Sequence, residues 1–155
     1  MKLPAIASRT FERFKNDLYL FGIFRRVTNN LKKISTAVDR ARYVHEEIDR
    51  YINQQFQQPI VKASVACKEG CAMCCHTQVS VSDDEAELLA GKVIELVRTE
   101  KGFDLARLRR QAMTQEDDKT WYQQSYQERK CTFLDMNNHC MVYEDRPSVC
   151  RNNHV

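Results

Sequence analysis

Apolar residues recur at three- and four-residue steps along most of the chain, the period of helices packed on one side. In residues 8–31, Phe11, Phe14, Leu18 and Phe21 keep that rhythm, followed by Phe24, Val27 and Leu31, and Asn29-Asn30 marks a break or bend. A second helix is predicted from about Ile34 to Phe56, with Ile34, Val38, Ala41, Ile48 and Ile52 on one seam. His45 shares that seam and reads as a hydrogen-bonded interface histidine rather than a metal ligand. The helical pattern stops at Pro59, and Val79 and Val81 then alternate with Ser80 and Ser82, the period of a short extended piece. Ser82 and Glu85 have the spacing of a capping box. They open a third helix with Ala86, Leu89, Ala90, Val93, Ile94 and Val97 as its apolar face and Gly102 at its close. Asp104 caps a fourth helix with Leu105, Leu108 and Ala112 inward, which continues or restarts through Trp121, Tyr122 and Tyr126. Residues 131–155 are short, irregular and cysteine-bearing.

Composition narrows the class. A hydrophobic fraction of 43% with 29% charged residues argues against a disordered chain, and four Gly with three Pro leave little room for an all-β fold rich in tight turns. The longest apolar run, Leu18 to Phe24, falls far short of the roughly 18–20 residues that span a bilayer. The N-terminal stretch is broken by Arg9, Glu12 and Arg13 and does not read as a secretory signal, so a cytoplasmic location is expected. A net charge of +3 is too weak to argue for nucleic acid. Residues 1–34 nevertheless hold eight basic side chains against two acidic ones, so the basic character belongs to the N-terminal arm. Such a basic amphipathic helix suits either an acidic membrane surface or a protein partner, and packing on the domain or on a second copy in a homo-oligomer is the favoured reading.

The cysteines change the picture. Seven occur, at Cys67, Cys71, Cys74, Cys75, Cys131, Cys140 and Cys150, with none in the first 66 residues and none from His76 to Lys130. An odd count, the absence of an export signal and the adjacent Cys74-Cys75 pair all disfavour a disulfide framework. The first group, C-x3-C-x2-C-C, brings three or four thiolates together either on one face of a helix or in a tighter loop turned at Gly70. The second, C-x8-C-x9-C, cannot form a compact site alone and reads as the closing half of the first. All-thiolate ligation selects zinc, an iron–sulfur cluster or Cu(I) over magnesium or calcium. Seven ligands exceed the four of one tetrahedral zinc or one cubane, so either some thiols are spare or two metals share sulfurs. His76, His139 and His154 lie within four residues of a cysteine and read as outer or solvated groups. Arg146 and Arg151 bracket Cys150. Each is placed either to offset thiolate charge or to pair with Glu144 or Asp145.

The segments CKEGCAMCCHTQVSVSDDEAELLA and CTFLDMNNHCMVYEDRPSVCR resemble the CxxCxxCC (YkgJ-like) cysteine-cluster family, a zinc- or iron-chelating domain, over about residues 67–151. The resemblance implies a small bacterial-type domain that binds metal through its cysteines, in a family for which no general reaction is established. Part of the flagellin lysine N-methylase resembles the same motif, there with an iron–sulfur cluster. The family pattern has eight cysteines. The eighth ligand is here absent, replaced by histidine, or carried by chain beyond Val155.

The expected fold is mainly α: a small helical domain over 34–155 closed by a cysteine-cluster metal site, with a basic N-terminal helical extension over 1–33. The expected function is metal binding, with zinc or an iron–sulfur cluster, in a structural, chelating or sensing role. An iron–sulfur redox or flagellin-methylase-like enzyme module is the alternative, disfavoured because no nucleotide fingerprint is present.

Overall fold

A computed structural model describes residues 12, 17–66, 70–99, 103–113 and 118–153. The chain divides into two compact units, Met1–Thr36 and Ala37–Val155, and is mainly helical. In the first unit, helix α1 spans Leu18–Leu31. Asp17 lies outside the helix in extended backbone, and its carboxylate accepts from the Tyr19 and Leu20 N–H groups at 3.0 and 3.1 Å. That cap places a helix start inside the continuous 8–31 helix expected from periodicity. Asn29-Asn30 does not break α1, which runs on to Leu31 before turning at Lys32 and Lys33. Phe11 and Phe14 lie outside the described residues. None of the α1 residues is buried.

In the second unit, α2 (Ala37–Phe56) and α4 (Asp83–Thr99) pack against each other. Pro59 does not end the helical pattern. It opens a short helix α3 (Pro59–Ser64), where its missing N–H has no helical partner to lose. A single 3-10 turn, Met73–His76, carries the adjacent cysteines, and residues 77–82 lead into α4 without strand pairing. Helices α5 (Leu105–Met113), capped by Asp104 through the Arg107 N–H at 2.7 Å, and α6 (Asp118–Gln123) follow. A tight turn then pairs Leu134 with Cys140, and a second 3-10 turn (Tyr143–Asp145) leads to α7 (Ser148–Arg151). Gly102 lies outside the described residues.

The α4 face differs from expectation. Buried positions are Glu85, Leu88, Leu89 and Leu96, while Ala86, Ala90, Ile94 and Val97 are exposed. The inward stripe is therefore rotated by about one residue, roughly 100° around the helix. The cause is Glu85. Its Oε1 lies 3.1 Å from His45 Nε2 and accepts from the Ser148 N–H at 2.6 Å. Its Oε2 accepts from the N–H and hydroxyl of Ser82 at 3.0 Å each. The capping box exists as predicted, but its carboxylate also points inward to α2 and α7. A period count treats a glutamate as polar and so assigns it to solvent.

Among the described residues the buried apolar side chains are Ala41, Leu88, Leu89, Leu96, Trp121, Leu134 and Val142. Leu89, Leu96 and Val142 cluster, flanked by Phe103, Phe133, Cys140 and Met141. Polar ties supplement these contacts. Arg151 is buried and donates to Asp49 on α2 and to the carbonyls of Glu144 and Arg146. Asp145 approaches Arg42 and Lys92 at 4.0 and 3.5 Å.

Burial opposes the charge on Glu85, but the bonds from Ser148, Ser82 and His45 outweigh it and hold the carboxyl down at about 2 against an ordinary 4.5. The carboxylate contribution to stability is therefore complete above about pH 4.5 and is lost as pH falls toward 2. Urea unfolding followed by Trp121, the single tryptophan, is expected to show that acid loss. Glu85→Gln should give a lower plateau with a shallower acid fall, and Glu85→Ala a loss of about 3–5 kcal/mol at neutral pH.

Candidate metal centre

The two cysteine-bearing segments are stitched together by backbone before any side chain is considered. The Cys131 N–H donates to the Cys75 carbonyl at 2.8 Å. Buried Trp121 donates through Nε1 to the His76 carbonyl at 3.1 Å, and His76 Nδ1 bonds the Tyr126 carbonyl at 3.0 Å. Gln111 on α5 holds the strip before and after Cys131. Its Oε1 accepts from the Thr132 N–H and hydroxyl at 3.3 and 3.0 Å, and its Nε2 donates to the Lys130 carbonyl at 2.8 Å. Asp135 caps the next turn through the Asn137 and His139 N–H groups, both at 2.8 Å. Asn138 sits there at φ 62, a conformation that asparagine tolerates well. The Ser148 N–H, two residues before Cys150, is fixed by Glu85.

The result is a group of half-buried thiols. Burial pushes the Cys75 thiol up, and the sulfurs of Cys74, Cys131 and Cys140 push it further. Burial followed by Cys131, Cys140 and Cys74 raises Cys150 to about 12, against the opposing pull of Arg146. Burial also raises Cys131 and Cys140, each facing Cys74, and the Arg146 charge and the Val142 N–H work the other way on Cys140. Cys74, Cys75, Cys131, Cys140 and Cys150 thus share one electrostatic neighbourhood. Cys71 stands apart from them in being exposed. Cys67 and His154 lie outside the described residues. His139 is more than half exposed, 3.7 Å from Asp135.

Among the described residues, no group of three or more His, Cys, Asp and Glu side chains is arranged to hold a metal ion as it stands. Two features fit the thiols to a soft metal. Clustered buried thiols resist ionisation until a cation supplies the balancing charge. Arg146, stacked over the Tyr143 ring at 3.8 Å, has a buried Nε with no hydrogen-bond partner among the described residues. The Arg146 charge acts on Cys140 and Cys150, whose thiolates, if they held a metal, would be acceptors for that donor. Arg151 takes neither role foreseen for it, because Asp49 and two carbonyls occupy its guanidinium.

A family model, CxxCxxCC, described as "putative zinc- or iron-chelating domain", matches residues 66–155. The chain belongs to this family. The CxxCxxCC match covers both cysteine groups and begins in the segment after α3. Comparison with curated proteins and with solved structures finds no match. Among the described residues, no helix is long and apolar enough to cross a membrane.

Gln111, Trp121 and the inward role of Glu85 have no signal in cysteine spacing. Only the buried tryptophan, with an indole N–H needing an acceptor, hints at a fixed contact.

In metal-free, reduced protein, iodoacetamide at pH 8 is expected to modify exposed Cys71 first, with Cys75, Cys131 and Cys150 slowest of the described thiols. Peptide mass spectrometry over time checks the order. Modification of Cys150 as fast as Cys71 would contradict the burial of this group.

Proposed function

We propose that this CxxCxxCC domain chelates zinc or an iron–sulfur cluster through Cys74, Cys75, Cys131, Cys140 and Cys150, with Cys67 and exposed Cys71 the further candidates from the first group. We assign the metal a structural or sensing role rather than one in turnover. The observation that carries this reading is the shared neighbourhood of five thiols drawn from segments more than fifty residues apart. A bound metal would supply the charge that ionises those sulfurs and would cross-link the two segments.

Only seven apolar side chains are buried among the described residues, which supports a structural part for the metal. Structural zinc contributes an apparent ~10–16 kcal/mol in zinc-finger peptides, comparable to the whole stability of a small domain. A domain closed this way reports metal supply through the order of its last residues, which is what sensing requires. The α2–α4 pair does not need the metal, because Glu85 and His45 already join it.

Hydrogen exchange with and without metal tests the proposal. Chelation is expected to raise exchange in residues 70–82 and 131–153 while α2 stays protected. Unchanged exchange in both cysteine segments after verified metal removal would refute it. Cys131→Ser and Cys150→Ser should each lower the metal bound per chain, while Arg146→Met leaves the content intact and weakens retention against a competing chelator.

A further inference from the structure

We infer that helix α1 docks on an anionic membrane surface, with its phenylalanine and leucine side chains in the apolar boundary and its basic side chains at the lipid headgroups. The inference concerns the first unit alone and does not depend on what the cysteines of the second unit hold.

The apolar side of α1 is open. Five of the seven residues from Leu18 to Phe24 are large, apolar and exposed: Leu18, Tyr19, Leu20, Phe21 and Phe24. Leu18 is 86% exposed and Phe24 66%, and no residue of the helix is buried. Apolar side chains exposed singly are ordinary, but a contiguous group of this kind marks a surface that meets a partner.

The pattern around the helix is that of an interfacial segment. At about 100° per residue, Leu20, Ile23, Phe24, Val27 and Leu31 fall on one face. Arg25, Asn29 and Lys32, the last still in helical backbone at the C-cap, fall on the other. Arg26 lies at the boundary between them, and Lys33 follows the helix. No acidic residue occurs between Asp17 and Asp39, and the Asp17 carboxylate is engaged with the Tyr19 and Leu20 N–H groups. Leu and Phe on one face with Arg and Lys on the other are what a helix needs to lie in the headgroup boundary. Its 14 residues reach about 21 Å, short of the ~30 Å hydrocarbon core, so α1 lies along the surface rather than through it.

Charge selects the occupant. Residues 1–34 hold eight basic side chains against two acidic ones. A second copy of α1 would cover the same apolar face but would bring an equal positive charge beside it, whereas anionic headgroups offset that charge. A purely ionic partner such as a nucleic acid would meet the cations and leave the phenylalanines in water.

The test uses the whole chain and sucrose-loaded vesicles, made of phosphatidylcholine alone or of phosphatidylcholine and phosphatidylserine in equal parts. Cosedimentation is expected to be at least about tenfold stronger on the mixed vesicles and to fall as salt is added. The double variant Phe21→Ser, Phe24→Ser should lose most of that binding, and Lys32→Gln, Lys33→Gln should weaken it about tenfold. All four side chains are exposed, and circular dichroism of the lipid-free variants checks that their helix content is unchanged. Equal cosedimentation with both vesicle types, or undiminished binding of the phenylalanine variant, would overturn the inference. So would a lipid-free dimer that Phe24→Ser dissociates and that does not sediment with vesicles, since the second copy would then be the partner.

Discussion

The second unit depends on one buried carboxylate. Glu85 closes the capping box that starts α4, meets His45 on α2, and receives the first N–H of the helix that carries Cys150. A single side chain thereby joins the two long helices and sets the position of a cysteine sixty-five residues later. Leaving such a group unpaired in a nonpolar interior would cost several kcal/mol, so its partners are constrained together. Arg151 and Asp49 make a second tie of the same kind, one residue beyond Cys150. The final cysteine is thus held from both flanks by ion-pair and hydrogen-bond partners on the α2–α4 pair.

This organisation assigns different work to the two halves of the domain. The α2–α4 pair is held by its own polar seam and a few leucines. The segments bearing the thiols are held by backbone bonds such as Cys131 to Cys75, by Gln111, and by the indole of Trp121. These contacts bring five sulfurs together in a partly desolvated setting, where each raises the cost of ionising the next. A soft metal bound there would offset that repulsion, and its thiolates would be acceptors for the Arg146 Nε, which has no hydrogen-bond partner among the described residues. The chain belongs to a family described as zinc- or iron-chelating.

Much of this arrangement was legible in the sequence, and the failures are instructive. The mainly helical class, the capping box at Ser82 and Glu85, the paired role of His45, and the clustering of cysteines followed from spacing and periodicity. The inward face of α4 did not, because a glutamate buried by three partners is invisible to an apolar period. The helix start at Asp17 was hidden by apolar residues that keep their rhythm on both sides of a cap. For Arg151 the sequence offers thiolate charge or the carboxylates of Glu144 and Asp145 as partners, whereas the fold gives its guanidinium to Asp49 and two carbonyls. Cysteine spacing likewise could not separate exposed Cys71 from the half-buried thiols. That difference depends on a 3-10 turn and on tertiary contacts far along the chain.

The most direct measurement is metal and sulfide per chain, with the visible spectrum, for protein purified without oxygen. The account predicts zinc in a colourless protein, or iron with matching sulfide and a visible chromophore, stoichiometric with the chain and lost when Cys131 is replaced by serine. Fully folded protein with neither zinc nor iron, and with all seven thiols free to titrate, would contradict it.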